Sequence, residues 1–262
     1  MPAVTANGYS IDRYIPRDLR YMFYYNTIPD YKYRSADGRD PYSFIVDDSL
    51  VLYLPLWALK GSSFKSVDAY KHTCTVTDAF WIPRGRDFNG ISAYLVTPAL
   101  APLQVGTGDF TISIWVNLDT VGGAAQNIVR LSYNTGVVSD YRAAGFFEQG
   151  GVIYVHSRTA AGGEKAASNA IAAITWYRLT VVRISEVVYG YINGVAMTTT
   201  GIAGADFDYS SGGKVYIGAQ DNEAGGASYF TEGVIGEVSI YNRALTAQEV
   251  QHNYLTTRWR YT

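Results

Sequence analysis

Between Phe110 and Leu118 the chain alternates at period two: Phe110, Ile112, Ile114, Val116 and Leu118 fall on one face, and Thr111, Ser113, Trp115 and Asn117 on the other. That pattern predicts a central β-strand with one face in a core. The same period returns near the C-terminus, where Val234, Gly236, Val238 and Ile240 alternate with Ile235, Glu237, Ser239 and Tyr241. One face of this strand can be buried while Glu237 and Ser239 occupy the other, and Glu237 is expected to be a solvated or turn-satisfying carboxylate. The period then changes. Thr246 stands where a helix N-cap belongs, Glu249 completes a T-x-x-E capping box, and Leu245 can staple against Val250 one turn in. A short helix is predicted there, with Val250 and Tyr254 on one face.

The rest of the chain reads as short strands between turns. Leu50 to Trp57, His72 to Thr77, Ala79 to Ile82, Asn127 to Ser132, Trp176 to Ile184, Val187 to Asn193 and Lys214 to Ala219 are strand candidates. Gly145 to Gln149 pairs with Val152 to His156 across Gly150-Gly151, and Asn89-Gly90 and Asn193-Gly194 are further turn signals. Ala58 to Lys71 and Tyr133 to Ala144 are expected to be loops, and the Ala/Gly-rich run Arg158 to Ala173 a loop with a short strand. Many short strands at regular spacing predict a two-sheet antiparallel sandwich.

The wording of several strands adds a resemblance. G-V-I-G-E-V-S-I-Y-N-R-A-L-T-A-Q-E-V from Gly233 to Val250 resembles the closing motif of the laminin-G-like, concanavalin A-like jelly-roll family. Ser49 to Leu56, Phe88 to Val96, F-T-I-S-I-W-V at Phe110, W-Y-R-L-T-V-V-R at Trp176, Y-G-Y-I-N-G-V at Tyr189 and K-V-Y-I-G-A at Lys214 are similar to other strands of that family. Together these cover roughly residues 48 to 256. The resemblance implies an all-β fold: a laminin-G-like jelly-roll sandwich over 46–262, with an extended N-terminal arm over 1–45 and one short C-terminal helix. It also implies a calcium site at the sandwich rim, for which Asp221, Asn222 and Glu223 are candidates with Asp68 from another loop, since hard oxygen ligands suit Ca²⁺. The loop S-S-F-K-S-V-D-A-Y-K-H at Ser62 departs from the family's acidic, Asn-rich pattern.

Composition narrows the partners. The chain has 262 residues, 23 of them Tyr and 26 Gly, a mixture that favours strands and tight turns. A formal net charge of -2 gives no electrostatic footprint for nucleic acid, and no apolar run approaches a membrane span. The single Cys74 excludes an intrachain disulfide and is expected in the core. The first residues show no export signal, so synthesis in the cytoplasm is expected.

The arm differs from the sandwich. Tyr9, Tyr14, Tyr21, Phe23, Tyr24, Tyr25, Tyr31, Tyr33 and Tyr42 interleave with Arg13, Arg17, Arg20, Lys32, Arg34 and Arg39, and Pro16, Pro29 and Pro41 interrupt regular structure. Tyr and Arg dominate interface hot spots, so Arg20, Tyr21, Phe23, Tyr24 and Tyr25 are the candidate protein-interface residues. An alternative is that the tyrosines cover a face of their own sandwich.

No metal spacing links His72, His156 and His252, and no nucleophile elbow or phosphate loop occurs. Glycoside hydrolases on this type of sandwich carry E-x-D-x-x-E on one strand, which is absent, so the chain is expected to be non-catalytic. The expected role is a structural subunit or decoration protein of a large assembly, such as a phage-like virion, in homo-oligomers or attached to a larger particle by its arm. The alternative is a carbohydrate-binding module at a cell surface, with Tyr133, Tyr141 and Tyr229 on a ligand rim that contacts glycans.

Overall fold

The computed structural model describes residues 4–6, 9–11, 44–99, 101–103, 105, 107–133, 142–159, 162–185, 187–197, 202–203, 213–221 and 226–261. The chain opens with a hairpin of β1 (Val4–Ala6) and β2 (Tyr9–Ile11). After it come β3 (Leu50–Pro55), β4 (Ser63–Lys65), β5 (Thr73–Thr77), β6 (Phe80–Ile82), β7 (Gly85–Asn89) and β8 (Tyr94–Val96). The longer strands are β9 (Phe110–Leu118), β10 (Gln126–Tyr133), β11 (Arg142–Gln149), β12 (Val152–Thr159), β13 (Gly162–Ala170), β14 (Trp176–Ile184) and β15 (Val187–Ile192). Short segments β16 (Val195–Ala196), β17 (Ile202–Ala203), β18 (Lys214–Ile217), β19 (Gln220–Asp221) and β20 (Ala227–Ser228) lead to β21 (Glu232–Tyr241) and the helix α1 (Ala247–Thr257).

Two antiparallel sheets form the sandwich. One has the order β13-β12-β11-β10-β18-β8-β5-β4, and the other β16-β15-β14-β9-β21-β7-β6, with β3 on β21 and β17 on β15. Between them Ile112, Ile114 and Val116 of β9, Val238 and Ile240 of β21, Leu131 of β10, Phe146 of β11 and Val155 of β12 make one buried core. Among the described residues the fold is an all-β sandwich with one C-terminal α-helix, as the sequence predicts. Cys74 lies fully inside, where burial, with the charge of Asp68 adding to it, pushes the thiol up to about 12. Burial thus keeps it protonated and inert.

Three local readings change. The run expected to be mostly loop from Arg158 contains the nine-residue β13. Ala and Gly carry little strand preference, so the element arises from its ladder with β12, which runs from Val152↔Ala170 to Thr159↔Gly162. Ser63–Lys65 is a strand paired to β5 within an expected loop. The third change concerns β9 and β21, which are buried on both faces: Thr111, Ser113 and Trp115 are as inaccessible as their apolar neighbours, and Glu237 is only 3% exposed. The expectation of a solvated Glu237 is thus corrected. Its sheet face is covered by α1 and by the chain ends: Trp115 stacks on Tyr261 at 4.6 Å and on Tyr254 at 5.7 Å, and its indole nitrogen donates to Thr257 Oγ1 at 2.9 Å.

Helix α1 starts where the capping box places it. Glu249 N donates to Thr246 Oγ1, Thr246 N donates to Glu249 Oε2, and Leu245 and Val250 are buried in one cluster. Phe44, Ile45 and Val46 join that cluster. Ile45 N donates to Asn253 Oδ1 at 2.8 Å and Ile45 O accepts from Tyr241 at 2.8 Å, so residues assigned by sequence to the end of the arm are part of the packed sandwich.

Arg243 fastens the same corner through Asp47 at 2.8 Å and Glu249 at 2.9 Å. Burial opposes ionisation of both acids. The bonds from Ser49 and Arg243 nonetheless hold Asp47 below its ordinary 3.8, and those from Arg243 and Thr246 hold Glu249 below 4.5. Depressed carboxylates contribute stability that is present above their ordinary values and lost as pH falls through the folded ones. Arg243→Ala is accordingly expected to lower the melting temperature at pH 7, and its difference from wild type is expected to shrink as pH falls below the ordinary carboxylate values. Thermal melts of both proteins across that pH window check it.

Candidate functional site

Because α1 covers one sheet, attention falls on the outer face of the other. Core residues Val129, Leu131, Phe146, Val155, Val215 and Ile217 point inward, so their neighbours in sequence point out. The register sets these in a cross-strand row: His156 opposite Gly145, Gly145 opposite Arg130, Arg130 opposite Tyr216, and Tyr216 opposite Val96. Gly145 contributes no side chain to the row, because a Cβ there would collide with the backbone of Val129 on β10.

Arg130 is the centre of this face. It is 5% exposed, and its guanidinium donates to Gln220 Oε1, which also accepts from Asn127 Nδ2 at 3.1 Å. Gln220 comes from β19 at the sheet margin, so the turn after β18 fixes a planar cation in the sheet face. Tyr216 beside it is mostly buried; burial pushes its hydroxyl up, with the charges of Asp221 and Tyr94 adding to the shift. The phenol therefore stays protonated.

Aromatic rings flank the arginine on both sides. Phe147 and Tyr154, opposite each other on β11 and β12, stack at 4.8 Å with 11° between planes, and His156 meets Phe147 edge-on at 5.8 Å. On the other side Tyr94 stacks on Tyr216 at 6.3 Å and lies 6.4 Å from Phe230. Phe147, Tyr154, His156, Tyr94 and Phe230 are each half-buried. Such a face offers flat apolar platforms with a few convergent polar groups between them. None of these residues forms a sequence motif. The hairpin across Gly150-Gly151 already sets Phe147 against Tyr154, but the pairing of β10 with β11 and of β10 with β18, which brings Arg130 and Tyr216 to the same face, was not assigned from sequence.

The residues singled out from sequence fare differently. Tyr229 is 54% exposed on the loop before β21, and its carbonyl accepts from Asn127 N at 2.8 Å, next to the face described. Tyr133 ends β10. Tyr141, the arm residues Arg20, Tyr21, Phe23, Tyr24 and Tyr25, and the calcium candidates Asn222 and Glu223 lie outside the described residues. Asp221 is buried in β19. The Asp68 carboxylate is fully buried and taken up by backbone, Oδ2 accepting from Tyr53 N at 2.9 Å and Oδ1 from Tyr70 N at 2.9 Å and Lys71 N at 3.3 Å. Among the described residues no group of three or more His, Cys, Asp or Glu could hold a metal ion. His72 Nε2 lies 2.7 Å from Val51 O, a structural contact.

The concanavalin A-like lectin/glucanases superfamily matches residues 89–251, and the chain belongs to it. No curated protein matches the chain. Among solved structures it is similar to a Trypanosoma rangeli sialidase in complex with sialic acid, at TM-score 0.65 and 17% identity, over 83% of this chain and 34% of that one. It is similar as well to the binding domain of Paraclostridial Mosquitocidal Protein 1, at TM-score 0.59 and 14% identity, over 79% of this chain and 52% of that one. The binding domain of botulinum neurotoxin serotype D matches at TM-score 0.58 and 12% identity, over 80% of this chain and 52% of that one. The chain thus spans about a third of the sialidase's length and about half of each toxin domain's.

This likeness corrects one expectation. The chain was expected to be non-catalytic because it lacks E-x-D-x-x-E, but its sandwich recurs within sialidase chains, including a mutant displaying trans-sialidase activity. Absence of that motif therefore does not set the chain apart from enzymes.

Proposed function

We propose that the chain is a carbohydrate-recognition module whose binding surface is the outer face of β10, β11, β12, β18 and β8. The observation that supports this reading is the placement of stacked rings, Phe147 with Tyr154 and Tyr94 with Tyr216, on either side of a fixed Arg130. Sugar rings present one apolar face and a rim of hydroxyls. The platforms suit the first, and Arg130, Asn127 and Gln220 suit the second. The membership of the superfamily and the likeness to a sialidase solved with sialic acid support the same ligand class. Phe147→Ala and Tyr154→Ala are expected to reduce glycan-array signal at least tenfold, since truncating a central anchor removes about 2 kcal/mol or more, while the fold is kept. Signal retained by both variants, with unchanged circular dichroism, would remove this face from the proposal.

A second reading is favoured by the arm. A segment rich in Tyr and Arg lies ahead of the packed cluster that holds Phe44, which suits a subunit or decoration protein of a large assembly such as a phage-like virion. The two readings use different surfaces and can hold together.

A further inference from the structure

The connections that follow β5, β7, β9, β11, β13 and β18 all gather at one end of the sandwich. Backbone bonds stitch them together: Ile174 N donates to Leu118 O at 2.7 Å, Asp119 N to Glu232 O at 3.0 Å, Gly90 N to Thr231 O at 2.9 Å, and Asn127 N to Tyr229 O at 2.8 Å. Asn89 Oδ1 accepts from the backbone of Ile91, Ser92 and Ala93, and the buried Glu148 accepts from Gly122 N and Gly151 N at 2.8 Å each. These loops are fixed in place. What they display is apolar: Phe80 is 70% exposed, Ile91 77%, Ile174 78% and Tyr229 54%, half of the eight large exposed hydrophobic side chains among the described residues. That concentration is more than the scattered single exposures expected of any surface.

Two of these side chains sit where the backbone disfavours them. Ile174 has φ 54° and Tyr229 φ 52°, a region that penalises a β-branched or bulky side chain and that Asn or Gly enters more readily. Both residues combine backbone cost with exposure and gain little from the fold. Their side chains fit a role outside it.

Charge says what they meet. Asp78 and Asp119 lie on these loops and Glu232 opens β21 beside them, whereas no lysine or arginine occurs in 89–129, 143–157, 166–177 or 215–242. Burial, with the charges of Asp87 and Glu232 adding to it, raises the Asp119 carboxyl, a sign that the acids crowd one another. The complement is an aromatic segment with excess positive charge, and the chain contains one. Residues 13–25 hold Arg13, Arg17 and Arg20 against Asp18 alone, with Tyr14, Tyr21, Phe23, Tyr24 and Tyr25 between them.

We propose that this apolar, acidic end of the sandwich is the docking surface for residues 13–25 of a second copy of the chain. The proposal rests on the assembly reading and is independent of the carbohydrate reading. Residues 26–43 span roughly 60 Å if extended, at about 3.3–3.6 Å per residue, which is enough to reach a neighbour from the fixed Phe44. Reciprocal exchange of arms closes a two-fold dimer, whereas one-way contacts generate rings or open filaments.

The test is sedimentation velocity on the full chain over a concentration series. Wild type is expected to form multimers that weaken with added salt, because exposed charges contribute and are screened. Ile174→Asn and Tyr229→Asn suit the local backbone, so they are expected to leave the melting temperature unchanged or raised while weakening self-association about tenfold or more. A synthetic peptide of residues 13–25 is expected to bind wild type and to compete with assembly. Multimers that survive both substitutions and the peptide would overturn this docking surface and leave the assembly reading standing. A chain that stays monomeric at every concentration would overturn both.

Discussion

Glu237→Ala is expected to destabilise the protein by about 3–5 kcal/mol, the cost of breaking a buried ion pair from one side. Glu237 Oε1 accepts from Arg178 Nη1 at 3.1 Å, with both side chains nearly inaccessible, and the same guanidinium nitrogen donates to Thr257 Oγ1 at 2.6 Å. Arg178, Trp115 and Glu237 lie side by side on β14, β9 and β21, so loss of the carboxylate strands a buried cation directly under α1. Burial pushes the Glu237 carboxyl above its ordinary 4.5, and Arg178 and Arg260 pull it back only in part. For a raised acid the contribution is fully present below the ordinary value and declines as pH rises through the folded one. Glu237→Gln cannot titrate, so its stability is expected to vary less with pH in that window, at a smaller cost than Glu237→Ala. Urea unfolding of the three proteins between pH 4 and pH 8 measures both effects.

Truncation is expected to give the second large effect. A chain beginning at Phe44 is expected to keep the sandwich, whereas one beginning at Leu50 loses Phe44, Ile45 and Val46 from the cluster under α1, together with both backbone bonds of Ile45. Burial of each such side chain contributes about 1.5–3 kcal/mol, so the combined loss approaches the whole stability of an ordinary domain. Near-ultraviolet circular dichroism and melting of the two truncations would show the difference. Equal stability would mean that the cluster is dispensable.

Much of this fold was legible because its signals are local. The alternation from Phe110, the glycine pair at Gly150 and the Thr246–Glu249 box each carry their physics within a few residues, and each element formed where expected. The sequence could not show that Glu237 is buried, because the residues covering it, Tyr254, Thr257 and Tyr261, follow it through a helix whose docking direction no local pattern encodes. β13 was hidden for a related reason, since its Ala and Gly residues owe their strand to a partner. The candidate binding face was the least legible part. Arg130, Tyr216, Gly145 and His156 come from four strands and meet only once register is known. A rim at Tyr229 could be suggested from composition, but the platforms at Phe147 and Tyr154 read in sequence as ordinary strand residues.

The most direct test of the central claim is calorimetric titration of the strongest glycan found on an array into wild type and into Tyr154→Ala. Measurable binding to wild type is expected, with a dissociation constant at least tenfold weaker for the variant and equal melting temperatures showing that the fold is intact. Equal affinity for the two proteins would contradict it.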